Sequence, residues 1–346
     1  MIRFFVTILI IITMLFAMSF FVLHDIAYAN EDLDSETGFS DEEEIAGIES
    51  ITSKAAIIMD YFTGLVIYEL NSDELRVPAS MAKMFAAFVV FDMIRDGYID
   101  FVDIIETSEA VSEFSYNRAY SNVPMQLDSS YTVEELLNVV IVRSASAATI
   151  ALGEGIFGSE EALVEKMNEK AMSLGIDAEF HDSWGGSPDN RISARGIAEM
   201  TRSFIQEYPE ILDITSQRSV FFDEIEYSST NILLAAFTGM NGFKTGFTNS
   251  AGWCFVGTAY HGGRKLITVT MGSVRGSRFP DSEILLDYGF ENYDTVIADH
   301  FTQAVRSFDT IKSITKPLVP ISVYNIEEAR FLSIRSLAII LNERAD

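Results

Sequence analysis

The chain has 346 residues, of which 48% are hydrophobic and 22% are charged. These values are typical of a large folded domain with a substantial core and exclude a wholly disordered chain. The formal net charge of −27 argues against nucleic acid as a partner, because its phosphates would be repelled. The single cysteine, Cys254, excludes an internal disulfide, and its apolar neighbours predict a buried strand thiol, not a nucleophile.

The N-terminal segment has the pattern of a secretory signal peptide. Arg3 precedes an apolar run from Phe4 to Leu23, and Ala27-Tyr28-Ala29 follows it. A positive start, an apolar stretch and small residues before a cleavage site predict a signal peptide over residues 1–29. A retained membrane anchor is the alternative, since about 20 apolar residues can span a bilayer. Either interpretation places the rest of the chain outside the cytoplasm, with membrane association possible through this segment.

An acidic linker is predicted over residues 30–50, where nine residues are acidic and none is basic. A segment of this charge is typical of a solvated, flexible tether, and a specific acidic binding arm is the alternative. The folded domain is expected over residues 51–295, and residues 296–346 are expected to form a short C-terminal extension.

The folded part opens with two apolar runs, Ala55 to Met59 and Leu65 to Leu70, which the turn residues between them join into a predicted hairpin. A proline before Ser80 and apolar residues on nearly every side through Ile94 predict a buried helix that begins at Ser80. Strands at both ends of a helical middle predict an α+β or α/β sandwich whose first and last strands share one sheet. Further helices are predicted at Thr132–Arg143, Ala147–Ile156, Glu160–Leu174, Ser193–Tyr208 and Ser282–Tyr288, and further strands at Met240–Phe247, Gly252–Tyr260 and Lys265–Gly272.

Two short motifs carry the chemistry, Ser80-Met81-Ala82-Lys83 and Lys244-Thr245-Gly246. In the first, a hydroxyl and an amine lie one helical turn apart, so both project from the same face of a helix. The amine can accept the serine proton if burial or a neighbouring cation suppresses its charge. The second motif adds a cation, a hydroxyl and a glycine that lets the backbone approach a substrate. Together they predict an active-serine acyl-transfer site that uses no histidine.

Each motif is weak alone, because Ser-x-x-Lys also occurs where a helix begins with an exposed lysine. In this order, however, the two motifs are signatures of penicillin-binding proteins and class A β-lactamases. The chain from about Ile51 to Tyr293 closely resembles the serine D-alanyl-D-alanine carboxypeptidases, the low-molecular-mass penicillin-binding proteins of peptidase family S11. The matching stretches include Ala55–Asp60, Pro78–Lys83, Met167-Asn168, Tyr208–Glu210, Gly242–Thr248, Ala251–Cys254 and Leu285–Phe290.

This resemblance implies the α/β (α+β) fold of serine β-lactamases and penicillin-binding proteins, an antiparallel sheet flanked by helices with a helical subdomain. It also implies removal of the terminal D-alanine from peptidoglycan pentapeptide stems through an acyl-enzyme on Ser80, with β-lactams as covalent inhibitors. Lys83 would take the serine proton, and Lys244 would supply part of the required lowering of its pKa. This chemistry needs no cofactor and no metal.

The resemblance further assigns substrate contacts. The backbone N–H groups of Ser80 and Phe247 would form the oxyanion hole. Lys244 would attract the substrate carboxylate, and Thr245 and Arg278 are candidates to hold it. A surface salt bridge is the alternative for Arg278.

The third motif of the family departs from its usual form. The family usually has Ser-x-Asn, whereas this chain has Ser144-Ala145-Ser146, so Ser144 is kept as a catalytic residue and Ser146 takes the asparagine position. A serine hydroxyl is shorter than an asparagine amide and has one proton to donate. Loss of such a contact costs on the order of 1–3 kcal/mol. This predicts reduced or altered activity, and the alternative is a protein that binds muropeptide stems without efficient turnover.

Other hydrolase classes fit the sequence less well. A β-lactamase needs a further base for fast deacylation, and no glutamate can be assigned to that role. His181, His261 and His300 lie in predicted loops or turns, and neither H-E-x-x-H nor G-x-S-x-G occurs.

The C-terminal residues 317–341 faintly resemble the start of the copper-amine-oxidase N-terminal-like domain of envelope proteins, without implying copper. A C-terminal helix packed on the main domain or on a membrane is the alternative.

Overall fold

The structure, a computed structural model, describes residues 47–312, with side chains except at residue 295 and at residues 298–312. The predicted signal peptide, most of the predicted acidic linker and the C-terminal residues 313–346 lie outside the described residues. The domain boundaries proposed from the sequence therefore stay predictions.

An antiparallel sheet forms the centre of the described region. Its strand order is β2–β1–β11–β10–β9, and every neighbouring pair is antiparallel. The first and last strands therefore share one sheet, as predicted, and β9 lies at an edge. The strands are β1 (Ala55–Asp60), β2 (Val66–Leu70), β3 (Ile104–Glu106), β4 (Ser130–Thr132), β5 (Ala178–Glu179), β6 (Arg191–Ile192), β7 (Ser219–Phe222), β8 (Ile225–Ser228), β9 (Met240–Thr248), β10 (Gly252–His261) and β11 (Arg264–Ser273).

Helices flank this sheet, which confirms the predicted fold class. They are α1 (Lys83–Arg95), α2 (Glu109–Ser115), α3 (Val133–Asn138), α4 (Ser146–Leu152), α5 (Glu160–Ser173), α6 (Ala194–Glu207), α7 (Ile211–Thr215), α8 (Leu233–Ala236) and α9 (Arg278–Lys312). Short 3₁₀ turns precede β1 and α1, at Ile48–Ser50 and Ala79–Ala82, and wide π-helical turns follow α3 and α4, at Val139–Arg143 and Gly153–Phe157.

Alternating side chains of β1 divide the core between the two faces of the sheet. Ile57 lies in the large apolar cluster that includes α1 and α6. Its neighbour Ile58 lies in a second cluster with Leu285 and Leu286 of α9. Both faces of the sheet are therefore covered, which is why β1 is buried along its whole length.

Helix α1 is buried on every side at its N-terminal end, as its all-round apolar sequence predicts. Every residue from Lys83 to Phe91 is buried. The ring of Phe88 stacks on Phe204 of α6, with centroids 4.5 Å apart and planes within 3°. Close packing on all sides leaves little freedom for repositioning, so the first turn of α1 is a rigid place for reactive groups.

Three predicted helices differ from the structure in extent. The helix predicted to begin at Ser80 begins as α-helix only at Lys83, because Ser80 lies in a 3₁₀ turn. The helix predicted from Thr132 begins with a capping box between Thr132 and Glu135 but changes to a π-helical turn after Asn138. The helix predicted over Ser282–Tyr288 extends over Arg278–Lys312. A glycine at 289, typical of a helix end in sequence, instead allows close packing, since a Cβ there would lie 2.8 Å from Leu266.

Within residues 47–312, no helix combines the length and the apolar character needed to cross a bilayer.

Candidate active site

The hydroxyl of Ser80, in the 3₁₀ turn that precedes α1, meets the amine of Lys83, the first residue of α1, as the motif predicts. Lys83 Nζ donates hydrogen bonds to Ser80 Oγ at 2.9 Å and to the backbone oxygen of Trp184 at 2.7 Å. Ser80 is partly exposed, whereas Lys83 is completely buried. The pair therefore presents a reachable hydroxyl beside an amine that is shielded from water.

Burial changes the acid–base behaviour of Lys83. Desolvation lowers the pKa of the amine from 10.5 to about 7, and the charge of Asp182 opposes this effect. The family resemblance implies that Lys244 supplies part of the lowering. Burial is the principal cause instead, because an ammonium loses its hydration inside the protein. A substantial fraction of Lys83 is thus neutral near pH 7, and a neutral amine can accept a proton across the 2.9 Å contact.

The Lys244-Thr245-Gly246 motif lies on the edge strand β9, next to the segment that carries Ser80. A Cβ on Gly246 would lie 2.8 Å from the backbone oxygen of Pro78, so only glycine permits this approach. Lys244 is buried, and its pKa is lowered well below 10.5 by desolvation and by the charges of Lys83 and Arg278. The two motifs, more than 150 positions apart in sequence, therefore converge.

Arg278 is the first residue of α9 and lies close to β9. Its Nη1 donates to the Gly246 oxygen at 3.3 Å, and its guanidinium lies 4.7 Å from the ring centroids of both Trp253 and Phe279. The expected alternative, a surface salt bridge, is wrong: Arg278 is half-buried and forms no ion pair with a carboxylate of the described residues. Its Nε is buried without a hydrogen-bond partner in that part of the chain. The cation is therefore free to hold an anionic group.

Thr245 and Phe247 face a different environment from Lys244, because side chains alternate along a strand. Thr245 Oγ1 donates to Thr230 Oγ1 at 2.8 Å, and the backbone N–H of Thr230 donates to the Val142 oxygen at 3.0 Å. The ring of Phe247 is 46% exposed and packs on Trp253, with centroids 4.6 Å apart. The packed rings of Phe247 and Trp253 thus border the edge of β9.

Ser144 ends the π-helical turn Val139–Arg143, and Ser146 is the first residue of α4. Ser144 adopts a left-handed conformation with φ 66°, and both residues are buried. The Ser146 N–H donates to the backbone oxygen of Ser121 at 2.9 Å, and Ser121 Oγ donates to the Arg143 oxygen at 2.9 Å. Within the described residues, neither the Ser144 nor the Ser146 hydroxyl has a protein hydrogen-bond partner. Both hydroxyls are therefore available for other contacts.

A further loop, residues 182–190, supplies contacts that the sequence analysis did not assign to the site. We call it the Trp184 loop. Its Gly185 has φ +86°, and a Cβ there would lie 2.0 Å from the Ala79 oxygen. The Trp184 ring packs on Tyr120 and Phe114, with centroids 4.8 and 5.3 Å apart. Composition predicts the loop but cannot reveal that a backbone oxygen in it will meet Lys83.

The site is rich in buried positive charge. The charges of Lys83 and Arg278 both lower the pKa of Lys244. The charge of Asp182 raises the pKa of Lys83. Buried cations without carboxylate partners attract anions strongly, because little water screens them. The arrangement is suited to a ligand with a carboxylate that presents an acyl carbon to Ser80.

Comparisons with known proteins agree with this geometry. A family model described as D-alanyl-D-alanine carboxypeptidase matches residues 41–274. The D-alanyl-D-alanine carboxypeptidase DacA of Haemophilus influenzae is 32% identical over 254 residues, which are 71% of this chain and 63% of that protein. This chain therefore spans less than two thirds of the length of that relative.

Solved structures show the same fold. Penicillin binding protein 5 from Haemophilus influenzae matches with a TM-score of 0.68 and 30% identity, over 73% of each chain. Penicillin-binding protein D2 from Listeria monocytogenes, in its ampicillin-bound form, matches with a TM-score of 0.62 and 28% identity, over 69% of this chain and 98% of that chain. The chain belongs to the D-alanyl-D-alanine carboxypeptidase family, peptidase family S11.

Proposed function

We propose that this protein is a serine D-alanyl-D-alanine carboxypeptidase that removes the terminal D-alanine from peptidoglycan pentapeptide stems. The observation that carries the proposal is the 2.9 Å contact between Ser80 Oγ and Lys83 Nζ, together with the pKa of about 7 for that amine. Acyl transfer requires a nucleophile within hydrogen-bond reach of a base, and that base must be partly neutral at physiological pH.

In the proposed reaction, neutral Lys83 accepts the Ser80 proton while Oγ attacks the carbonyl carbon of the penultimate D-alanine. The C–N bond then breaks, the leaving amine takes up a proton, and free D-alanine departs. Water hydrolyses the resulting serine ester and regenerates the hydroxyl. The backbone N–H groups of Ser80 and Phe247 are proposed to hold the developing oxyanion, and each such donor contributes about 3 kcal/mol. Ser144, whose hydroxyl has no hydrogen-bond partner among residues 47–312, is proposed to relay the proton to the leaving amine.

The substrate carboxylate is proposed to bind among Lys244, Thr245 and Arg278. The guanidinium of Arg278 lies near two aromatic rings and forms no ion pair with a carboxylate of the described residues, which supports this proposal. Gly246 would let the substrate backbone lie against the edge of β9, and Ser146 would offer its free hydroxyl to the substrate amide. No observation on the described residues favours the alternative in which Ser146 prevents turnover.

β-Lactams are proposed to acylate Ser80 as covalent inhibitors. A strained lactam carbonyl beside a carboxylate presents the same two groups as a D-alanyl-D-alanine end. The ampicillin-bound form of the Listeria relative supports this proposal.

We further propose that the protein acts outside the cytoplasm, either secreted or attached to the outer face of the cytoplasmic membrane. The apolar N-terminal run and the Ala-x-Ala pattern support this location.

Release of D-alanine from a synthetic pentapeptide that ends in D-Ala-D-Ala tests the proposed function. Wild-type protein and the control Ser173→Ala, an exposed helix-end serine, are expected to release D-alanine over many turnovers, whereas Ser80→Ala is expected to release none. Release that stops at one equivalent per protein would support the stalled alternative. Folded wild-type protein that releases nothing would overturn the proposal.

A further inference from the structure

The Trp184 loop is organised around one carboxylate. Asp182 Oδ1 accepts hydrogen bonds from the Gly185 N–H at 2.7 Å and from Asn190 Nδ2 at 3.0 Å. Asp182 Oδ2 accepts from the Ser187 N–H at 2.5 Å. Asn190, which is completely buried, also accepts from the His181 N–H at 2.7 Å. A carboxylate with three donors on both of its oxygens fixes the path of the backbone between them.

This path places an acceptor against the catalytic amine. The Trp184 oxygen lies 2.7 Å from Lys83 Nζ, and Trp184 is the residue immediately before the Gly185 N–H that Asp182 holds. Gly185 in turn contacts the Ala79 oxygen, next to Ser80. The Asp182 carboxylate thus fixes the backbone of Trp184 and Gly185, and this backbone fixes the acceptor of the Lys83 amine.

Asp182 also acts on Lys83 through its charge. Burial lowers the pKa of Lys83, and the negative charge of Asp182 raises it. The other titratable groups facing this region are the basic side chains Lys244 on β9 and Arg278 on α9, and the pKa of Lys244 is lowered by burial and by the charges of Lys83 and Arg278. Glu160 on α5 accepts from the Ser183 N–H and hydroxyl, at 3.0 and 2.8 Å, and its pKa is raised mainly by burial and in part by the charge of Asp182. Among these groups Asp182 alone stabilises the ammonium form of Lys83.

We propose that Asp182 is a positioning residue for the acylation step: by accepting from the N–H groups of Gly185 and Ser187 it holds the Trp184 oxygen against Lys83 Nζ, and it places a negative charge near that amine. This inference rests on the proposed function, because it concerns how readily Lys83 takes the Ser80 proton. The role is separate from substrate contact, since the Asp182 carboxylate is engaged by donors of its own loop.

The test measures the second-order rate constant for acylation by benzylpenicillin from pH 5 to pH 9 in wild type and Asp182→Asn. Loss of the negative charge makes the ammonium less stable, so the midpoint of the rise with pH is expected to fall by at least about half a pH unit. The plateau rate is expected to fall about tenfold or more, because the asparagine amide has one acceptor oxygen for three donors. The matched control is Asp189→Asn, which removes the same charge from an exposed position of the same loop; its profile is expected to match wild type.

A midpoint that does not move in folded Asp182→Asn, or one that moves equally in Asp189→Asn, would overturn the inference. Thermal unfolding establishes whether each variant is folded. If Asp182→Asn does not fold, Asn190→Ala takes its place, because it removes one donor to Asp182 and keeps the charge. For that variant a lower plateau with an unchanged midpoint is expected, and an unchanged plateau would contradict the positioning role.

A titration that does not depend on activity separates this inference from the proposed function. The Lys83 Nζ signal, in protein with ¹⁵N-labelled lysine and assigned by its absence in Lys83→Met, reports the pKa of this amine directly. A lower Lys83 pKa in Asp182→Asn supports the inference even if wild type is not acylated, in which case only the proposed function fails. Normal acylation with an unchanged Lys83 pKa would leave the function intact and overturn the inference.

Discussion

Gly185 packs so closely on Ala79 that a Cβ at position 185 would lie 2.0 Å from the Ala79 oxygen. The Trp184 loop and the segment that carries Ser80 are therefore locked together by backbone contact. We expect Gly185→Ala to displace the Trp184 oxygen from Lys83 and to slow acylation by benzylpenicillin by about a hundredfold, since small misplacements near reacting groups have effects of this size.

The control for this variant is Gly158→Ala. Gly158 has nearly the same φ, +87° against +86°, but a Cβ added there would have no atom of the described residues within 4 Å. Backbone strain should destabilise both variants by about 1–2 kcal/mol, whereas only the clash at 185 should affect acylation. Equal acylation rates in the two variants would show that the contact with Ala79 has no part in the site.

The pH dependence of acylation should follow Lys83. Its folded pKa of about 7 lies below the ordinary 10.5, so below pH 7 the amine is an ammonium and cannot accept the Ser80 proton. The rate constant for acylation by benzylpenicillin is expected to rise with pH and to reach half of its plateau near pH 7. A rate that is independent of pH from 5 to 9 would exclude Lys83 as the base.

Lys83→Met should separate catalysis from stability. Removal of the base is expected to lower acylation at least about a thousandfold. At pH 6, removal of a buried charge should stabilise the fold by on the order of 1–2 kcal/mol. The exposed Lys166, paired with Glu169, provides the control Lys166→Met, which should change neither quantity appreciably.

The stabilisation by Lys83→Met should also depend on pH. Above pH 7 the folded protein holds a neutral amine while the unfolded chain stays protonated up to about pH 10.4. Folding of wild type then releases a proton, and its stability relative to Lys83→Met rises by about 1.4 kcal/mol per pH unit. The free energy of unfolding of Lys83→Met, measured in urea, should therefore exceed that of wild type by less at pH 9 than at pH 7. If this difference in the free energy of unfolding grew with pH, the result would contradict a lowered Lys83 pKa.

Arg278→Gln should weaken recognition of the substrate carboxylate. We expect kcat/KM for a peptide that ends in D-Ala-D-Ala to fall about ten- to hundredfold, the size of a lost charged hydrogen bond of about 1.5–3 kcal/mol. The same peptide with a C-terminal carboxamide has no negative charge to lose, so its kcat/KM should be nearly unaffected. If kcat/KM fell equally for both peptides, the result would assign Arg278 a structural role through its stacking on Trp253.

Ser146→Ala tests whether the free hydroxyl of Ser146 meets the substrate. The side chain has no protein hydrogen bond within the described residues, and alanine is a good helix former in the first turn of α4. We expect no loss of thermal stability and a roughly fivefold lower kcat/KM for D-alanine release, about 1 kcal/mol. A kcat/KM equal to wild type would mean that this hydroxyl does not take the place of the usual asparagine amide.

The strands of the sheet could be predicted from the sequence because they depend on local pattern, whereas the convergence of the two motifs was implied by their order and by the family resemblance. The alternating apolar runs predict β1, β2 and β9–β11, and the buried helix α1 follows from apolar residues on every face. The sequence does not predict the full length of α9, because Gly289 is typical of a helix end. In the structure the helix continues through Gly289, which packs closely against Leu266 and Ile58.

The contacts around Lys83 could not be predicted in the same way. The Trp184 oxygen is a backbone atom, and no residue type marks it as an acceptor for a lysine 101 positions away. Asp182 precedes a loop of glycine, serine and proline, where an aspartate ordinarily organises a turn. Only the fold brings its charge close to Lys83. Likewise, a lysine pKa of about 7 follows from burial, which the motif allows but does not establish.

Intact mass after exposure to benzylpenicillin tests the central claim most directly. We predict that the wild-type protein gains the mass of one benzylpenicillin molecule, that peptide mapping locates it on Ser80, and that folded Ser80→Ala gains none. An unmodified wild-type mass, or an equal adduct on Ser80→Ala, would contradict the account.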